Sequence, residues 1–108
     1  MDAKTDITFV YVTCSSLEEA RKIGRRLVEE RLAACVNIFP VNSIYFWDGE
    51  VRGALEFAVL IKTLREKYAE VEKFVKELHS YENPCVVALD ISDVSKDFAG
   101  WIESVVRV

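Results

Sequence analysis

From Arg31 to Tyr45 the chain carries almost no side-chain charge: Arg31-Leu32-Ala33-Ala34-Cys35-Val36-Asn37-Ile38-Phe39-Pro40-Val41-Asn42-Ser43-Ile44-Tyr45. The run continues into Phe46-Trp47-Asp48-Gly49-Glu50, a hairpin tip, and its only charges are Arg31 at the start and Asp48 and Glu50 at the tip. A strand this long and apolar cannot stay an open sheet edge, because its unpaired amides and side chains recruit other chains. It predicts a β-hairpin and a partner subunit together.

At 108 residues the chain is the size of a single domain, 1–108, large enough to bury about two thirds of its unfolded surface without staples. The 51% hydrophobic and 30% charged fractions are those of an ordinary folded protein. Fourteen basic against 18 acidic side chains give a net charge of -4. That balance argues against nucleic acid as the main partner, since phosphate binding draws on clustered Lys and Arg. No stretch approaches the roughly 20 apolar residues of a membrane helix, so no membrane partner is expected. Met1 to Asp6 is polar without an apolar signal core, and the three cysteines are odd in number with no zinc-finger spacing. Reduced, mostly buried thiols in a cytoplasmic protein are the expectation.

Ile7 to Thr13 is β-branched and aromatic on both faces, a central strand. Ser15 with Glu18, or Ser16 with Glu19, is spaced as a capping box. Leu17, Ala20, Ile23, Gly24, Leu27 and Val28 then recur at helical spacing. The apolar run forms a second strand in which Pro40 predicts a bulge or a break in pairing. Asp48-Gly49 is a hairpin turn, and Val51 to Leu64 returns as a third strand. Arg65 to Ser80 reads as a second helix, broken by Asn83-Pro84, and Cys85 to Ile91 as a fourth strand. Ser95 caps a last helix carrying Phe98, Trp101, Ile102 and Val105. This α+β order, βαββαβ plus a C-terminal helix, favours a ferredoxin-like sandwich with an antiparallel sheet and its helices on one face.

That topology gathers the end of strand one, the start of helix one, the end of helix two and the start of strand four at one rim. Cys14, His79 and Cys85 map there, while Cys35 maps to the opposite rim and reads as core. Thiolate and imidazole suit copper and zinc, and a helix N-terminus after Cys14 favours its thiolate. Two or three ligands fall short of a closed cage, so a site here is weak, open or shared between subunits. The plainer reading is a histidine capping a helix C-terminus and cysteines that pack.

Tyr45, Phe46 and Trp47 are either a ligand-stacking surface or, more in keeping with aromatic hairpin tips, buried in a neighbouring subunit. Glu56, amid an apolar strand, must be paired, facing water or functional. Arg52-Gly53 faintly suggests an RNA-recognition strand, but Ala54, Leu55 and Glu56 replace the stacking aromatics such a strand needs. Nothing completes a catalytic set around His79 and Cys14, so no enzymatic activity is expected.

Leu32-Ala33-Ala34-Cys35-Val36-Asn37-Ile38, Ser43-Ile44-Tyr45-Phe46-Trp47-Asp48-Gly49-Glu50-Val51, Ile61-Lys62-Thr63 and His79-Ser80-Tyr81-Glu82-Asn83-Pro84 together resemble the CutA divalent-cation tolerance family. The resemblance implies a ferredoxin-like homotrimer locked by long hairpins, a cytoplasmic location, and association with copper or another divalent cation. It also implies Cys14 and His79 as metal ligands. Two positions depart from the family pattern: Ser80 stands where proline is usual, and Cys85 where glutamate is usual. Cys85 is therefore either an additional soft ligand or the loss of a carboxylate. The family in turn resembles PII signalling trimers, which gives a second reading as a sensor of a small anionic metabolite in subunit clefts lined by Lys62, His79, Tyr81 and Glu82. A structural or partner-anchoring trimer is a third.

Overall fold

The computed structural model describes residues 5–107. Most of the polar opening stretch read as lacking an export signal, Met1 to Lys4, lies outside the described residues. Four strands and three helices follow in the order β1 (Ile7–Cys14), α1 (Leu17–Glu29), β2 (Cys35–Trp47), β3 (Glu50–Leu64), α2 (Tyr68–Leu78), β4 (Val86–Asp90) and α3 (Lys96–Val106). A 3-10 turn, Arg65–Lys67, leads into α2. The strands form one antiparallel sheet in the order β2-β3-β1-β4, which makes β1 central and leaves β2 and β4 at the edges.

Period-two alternation sorts the sheet residues between two cores. Val10, Val12 and Cys14 of β1 point with Val59 and Ile61 of β3 toward Ala20, Ile23 and Leu27 of α1 and Val71 and Val75 of α2. Ile7 and Leu64 point the other way, onto Ile102 and Val106 of α3. The helices therefore do not share one face. The sequence expectation holds for α1 and α2, whereas α3 is long enough to return beneath the opposite side and cover Ile7, Phe9 and Leu64 there.

Pro40 causes no bulge. The thirteen residues of β2 pair one for one with β3, from Cys35 opposite Lys62 through Pro40 opposite Phe57 to Trp47 opposite Glu50. An edge strand tolerates proline because half of its amides face away from the neighbouring strand. The turn is as the dipeptide demands: Asp48 (φ 52°) and Gly49 (φ 77°) both take the left-handed conformation of a two-residue hairpin loop. Beyond the helices this ribbon is bare, with Ile44 80%, Phe46 70% and Val51 72% exposed, and Tyr45 and Trp47 also open to solvent. The outer edge of β2 has no strand partner among the described residues.

Helix α1 ends in a Schellman arrangement around Arg31, whose φ is 56°. Leu32 N–H donates to the Leu27 carbonyl and Arg31 N–H to the Val28 carbonyl, each at 3.0 Å. Helix α2 stops at Leu78, two residues earlier than the sequence expectation, because His79 is extended (φ -80°, ψ 143°). The backbone gives up the last turn there to long-range hydrogen bonds from residues 79–81.

Candidate metal centre

Cys14 closes β1 on the face covered by α1 and α2, and it is fully buried within that core. The sequence reading expected the start of α1 to favour a thiolate; the structure reverses this. Burial, followed by the charges of Glu19 and Glu56, pushes the thiol up from its ordinary 9.0 to about 12. Desolvation outweighs the helix end because a charge without water costs more than one helix terminus returns.

Glu19 stands beside it in the first turn of α1. Ser16 is the N-cap, its hydroxyl accepting from Glu19 N–H at 3.1 Å. The Glu19 carboxylate does not return to Ser16 as a capping box requires. Its Oε1 accepts from the Ser15 amide (3.1 Å) and hydroxyl (3.2 Å), and its Oε2 from the Ser80 amide at 2.8 Å. Burial opposes ionisation of this carboxyl, but hydrogen bonds from Ser80 and Ser15 and the nearby His79 outweigh it and hold the group below its ordinary value.

His79 leaves the end of α2 and reaches across to β1. Its Nε2 is 2.8 Å from the Thr13 carbonyl oxygen, and its Nδ1 accepts from Tyr81 N–H at 3.0 Å. A carbonyl only accepts, so these partners assign the proton to Nε2. The Tyr81 ring lies against the imidazole, with centroids 4.8 Å apart and a 44° tilt. The Tyr81 hydroxyl donates to Glu56 Oε2 at 2.7 Å. Glu56 is only 8% exposed, so of the three options open to it in the sequence it is paired. Burial, then Glu56, pushes the Tyr81 phenol up.

The ligand atoms of Cys14, Glu19 and His79 all lie within 4.8 Å of one another. Sulfur, imidazole nitrogen and carboxylate oxygen form a donor set that suits copper or zinc, and three protein ligands are the number found in open zinc sites. Ligands of one tetrahedral ion sit about 3.5 Å apart, so the three atoms must draw together by about an ångström. The residues fit a weak, open centre.

Of the sequence candidates, Cys14 and His79 meet and Cys85 does not. Cys85 is exposed and outside the converging group. Continuing the pairing of Val86 with Val12 sets it opposite Thr13, whose side chain lies on the other sheet face from Cys14. Burial and Glu56 raise its thiol. Lys62 pairs with Phe9 far along β1 from Cys14, its ammonium 5.4 Å from the Phe9 ring centroid and 5.5 Å from that of Phe98. It is not near His79, Tyr81 or exposed Glu82, so a cleft with all four needs two chains. Cys35 is half-buried rather than core, on a shallow groove with Val36 and Arg25. Glu19 escaped the sequence reading because its spacing matched a cap; its place in the first turn, at the rim already assigned to Cys14 and His79, was the available signal.

Residues 8–105 match the CutA1 divalent ion tolerance protein family. The divalent-cation tolerance protein CutA of Archaeoglobus fulgidus is 50% identical over 99 residues, spanning 92% of this chain and 97% of that protein. The protein of the same name from Thermus thermophilus is 45% identical over 94 residues, spanning 86% and 91%. Among solved structures, the periplasmic divalent cation tolerance protein CutA from A. fulgidus has a TM-score of 0.91 at 49% identity, covering 93% of this chain and 98% of that one. CutA from Xylella fastidiosa has a TM-score of 0.92 at 33% identity, covering 94% and 99%. In sequence and in fold, the chain belongs to the CutA1 divalent ion tolerance protein family.

Proposed function

We propose that this protein serves divalent-cation tolerance by binding copper or another divalent ion at Cys14, Glu19 and His79, without catalysing a reaction. What carries this reading is the convergence of those three ligand atoms within 4.8 Å. Cys14 would supply a soft thiolate, His79 an imidazole and Glu19 a carboxylate already ionised at neutral pH. The bound ion would supply positive charge in place of the thiol proton. Because Cys14 must be deprotonated to bind, uptake is weak at neutral pH and releases a proton. Zinc titration of the wild type against Cys14→Ser, Glu19→Gln and His79→Ala tests the assignment; equal affinity in all four removes it.

A ferredoxin-like homotrimer, built on the PII-like plan, is part of the same reading. Its support is the bare ribbon of Ile44, Tyr45, Phe46, Trp47 and Val51 together with the open edge of β2. Sedimentation at micromolar concentration that finds a stable monomer rules the trimer out. A cytoplasmic location rests on three free cysteines, and no helix among the described residues is long and apolar enough to cross a membrane. The relative from A. fulgidus is named periplasmic, so cell fractionation is the test.

One observation favours the alternative of a metabolite sensor. The Lys62 ammonium rests on two aromatic rings, with no carboxylate partner among the described residues. An anion entering a subunit cleft would meet that charge. If so, nucleotides or small organic anions raise the melting temperature, and Lys62→Ala abolishes the rise.

A further inference from the structure

Two consecutive backbone amides bond two of the side chains that a cation at Cys14, Glu19 and His79 would use. Ser80 N–H donates to Glu19 Oε2, and Tyr81 N–H donates to His79 Nδ1. The two contacts are not equivalent. A carboxylate oxygen has a second lone pair and can keep its amide while binding a metal. A neutral imidazole has one basic nitrogen, which here is Nδ1, because Nε2 donates its proton to the Thr13 carbonyl.

Either way of offering imidazole to an ion therefore evicts Tyr81 N–H. If Nδ1 binds, the amide loses its acceptor, while Nε2–H keeps Thr13 as the orienting partner that metal-bound histidines commonly have. If the ring instead shifts its proton and binds through Nε2, it loses Thr13 and turns Nδ1–H against Tyr81 N–H, two donors face to face. Tyr81 resists eviction in both cases. Its hydroxyl is bonded to Glu56, which is nearly buried, and its ring packs on the imidazole.

We infer that the Ser80–Tyr81 peptide is a built-in competitor of the ion, a plug on His79 that metal binding displaces and that the Tyr81–Glu56 hydrogen bond holds in place. Tyr81 is thus a positioning residue, acting on the metal through His79. The inference rests on the cation reading of this site. It adds that capture of an ion is reported outward, as a rearrangement of residues 80–81 and release of a tether to β3.

The test uses the full chain and zinc chloride under reducing conditions, with amide hydrogen exchange followed residue by residue. Zinc saturation should speed exchange at Tyr81 while the amides of β1 and β3 keep their protection. Tyr81→Phe keeps the amide and the ring but loses the tether, so it should bind zinc roughly three- to tenfold more tightly than wild type. Tyr68→Phe, which deletes a hydroxyl bond to the Val86 carbonyl and leaves the hydrogen bonds of Glu19, His79 and Tyr81 untouched, should bind as wild type. A merely structural Tyr81 gives unchanged or weaker binding in Tyr81→Phe, and that result overturns the tether. Zinc bound through Cys14 and His79 with the Tyr81 amide still protected overturns the plug and leaves the site standing. Zinc binding indifferent to both Cys14→Ser and His79→Ala overturns the site and the plug together.

Discussion

Gly24 of α1 and Val36 of β2 touch so closely that a β-carbon on residue 24 would lie 2.8 Å from Val36 Cγ2. The helix is seated on the sheet edge by the absence of that one atom. Val36 is β-branched and half-buried, so it has little freedom to step aside. Gly24→Ala gains about 1 kcal/mol of helix propensity but forces helix and strand apart, an overpacking cost of about 1–3 kcal/mol. Urea denaturation should show a net loss of stability. Combining Gly24→Ala with Val36→Ala should recover part of it, a coupling that a double-mutant cycle measures.

Arg31 holds a left-handed conformation that side chains with a β-carbon enter at a cost. Its hydrogen bond to the Val105 carbonyl is exposed and long, at 3.4 Å, and contributes little. Arg31→Gly should therefore stabilise the protein by about 1 kcal/mol, read as a higher urea midpoint with unchanged slope. A fall in midpoint would show that the Val105 contact outweighs the backbone strain.

Cys14 makes stability fall in alkali. Its thiol is raised in the folded protein, so above pH 9 the unfolded chain loses that proton while the folded chain keeps it up to about 12. The folded state binds more protons in this window, and stability drops by about 1.4 kcal/mol per pH unit across it. The contribution is whole below pH 9. Cys14→Ala should flatten the alkaline limb of a stability-against-pH curve relative to wild type; parallel curves would contradict the buried thiol.

Glu19 acts in the opposite sense. Its carboxyl is lowered in the folded state by Ser80 and Ser15, so its contribution is present above the ordinary carboxylate range and disappears as pH falls through the lowered value. Glu19→Gln should lose stability at neutral pH and lose less than wild type on acidification. Thermal melts between pH 7 and pH 2 provide the comparison.

Patterns local in sequence are legible in the chain itself. β-branched and aromatic residues on both faces mark β1, the helical spacing of apolar residues marks α1, Asp48-Gly49 marks the hairpin turn and so the return of β3, and Ser95 marks the start of α3, where it accepts from Phe98 N–H. Topology alone brings Cys14 and His79 to one rim. What resisted reading depends on neighbours distant in sequence. The end of α2 is set by Thr13 and Glu19, which bond residues 79 and 80 more than sixty positions away. Pro40 is harmless only because β2 lies at an edge. The Cys14 thiol is governed by the core around it rather than by the helix that follows it, and Cys85 is turned away by the register of β4.

The uninterrupted ladder between β2 and β3 makes the arm intolerant of changes in length. Because neighbouring side chains alternate between faces, inserting or deleting one residue between Cys35 and Trp47 turns over every pair on one side of the change. Val36 and Ile38 would leave the core, or the whole tip would invert. Mutational drift in this ribbon is thus free to trade one side chain for another, whereas a single insertion survives only with a residue added opposite it or as a bulge that leaves the extra residue unpaired.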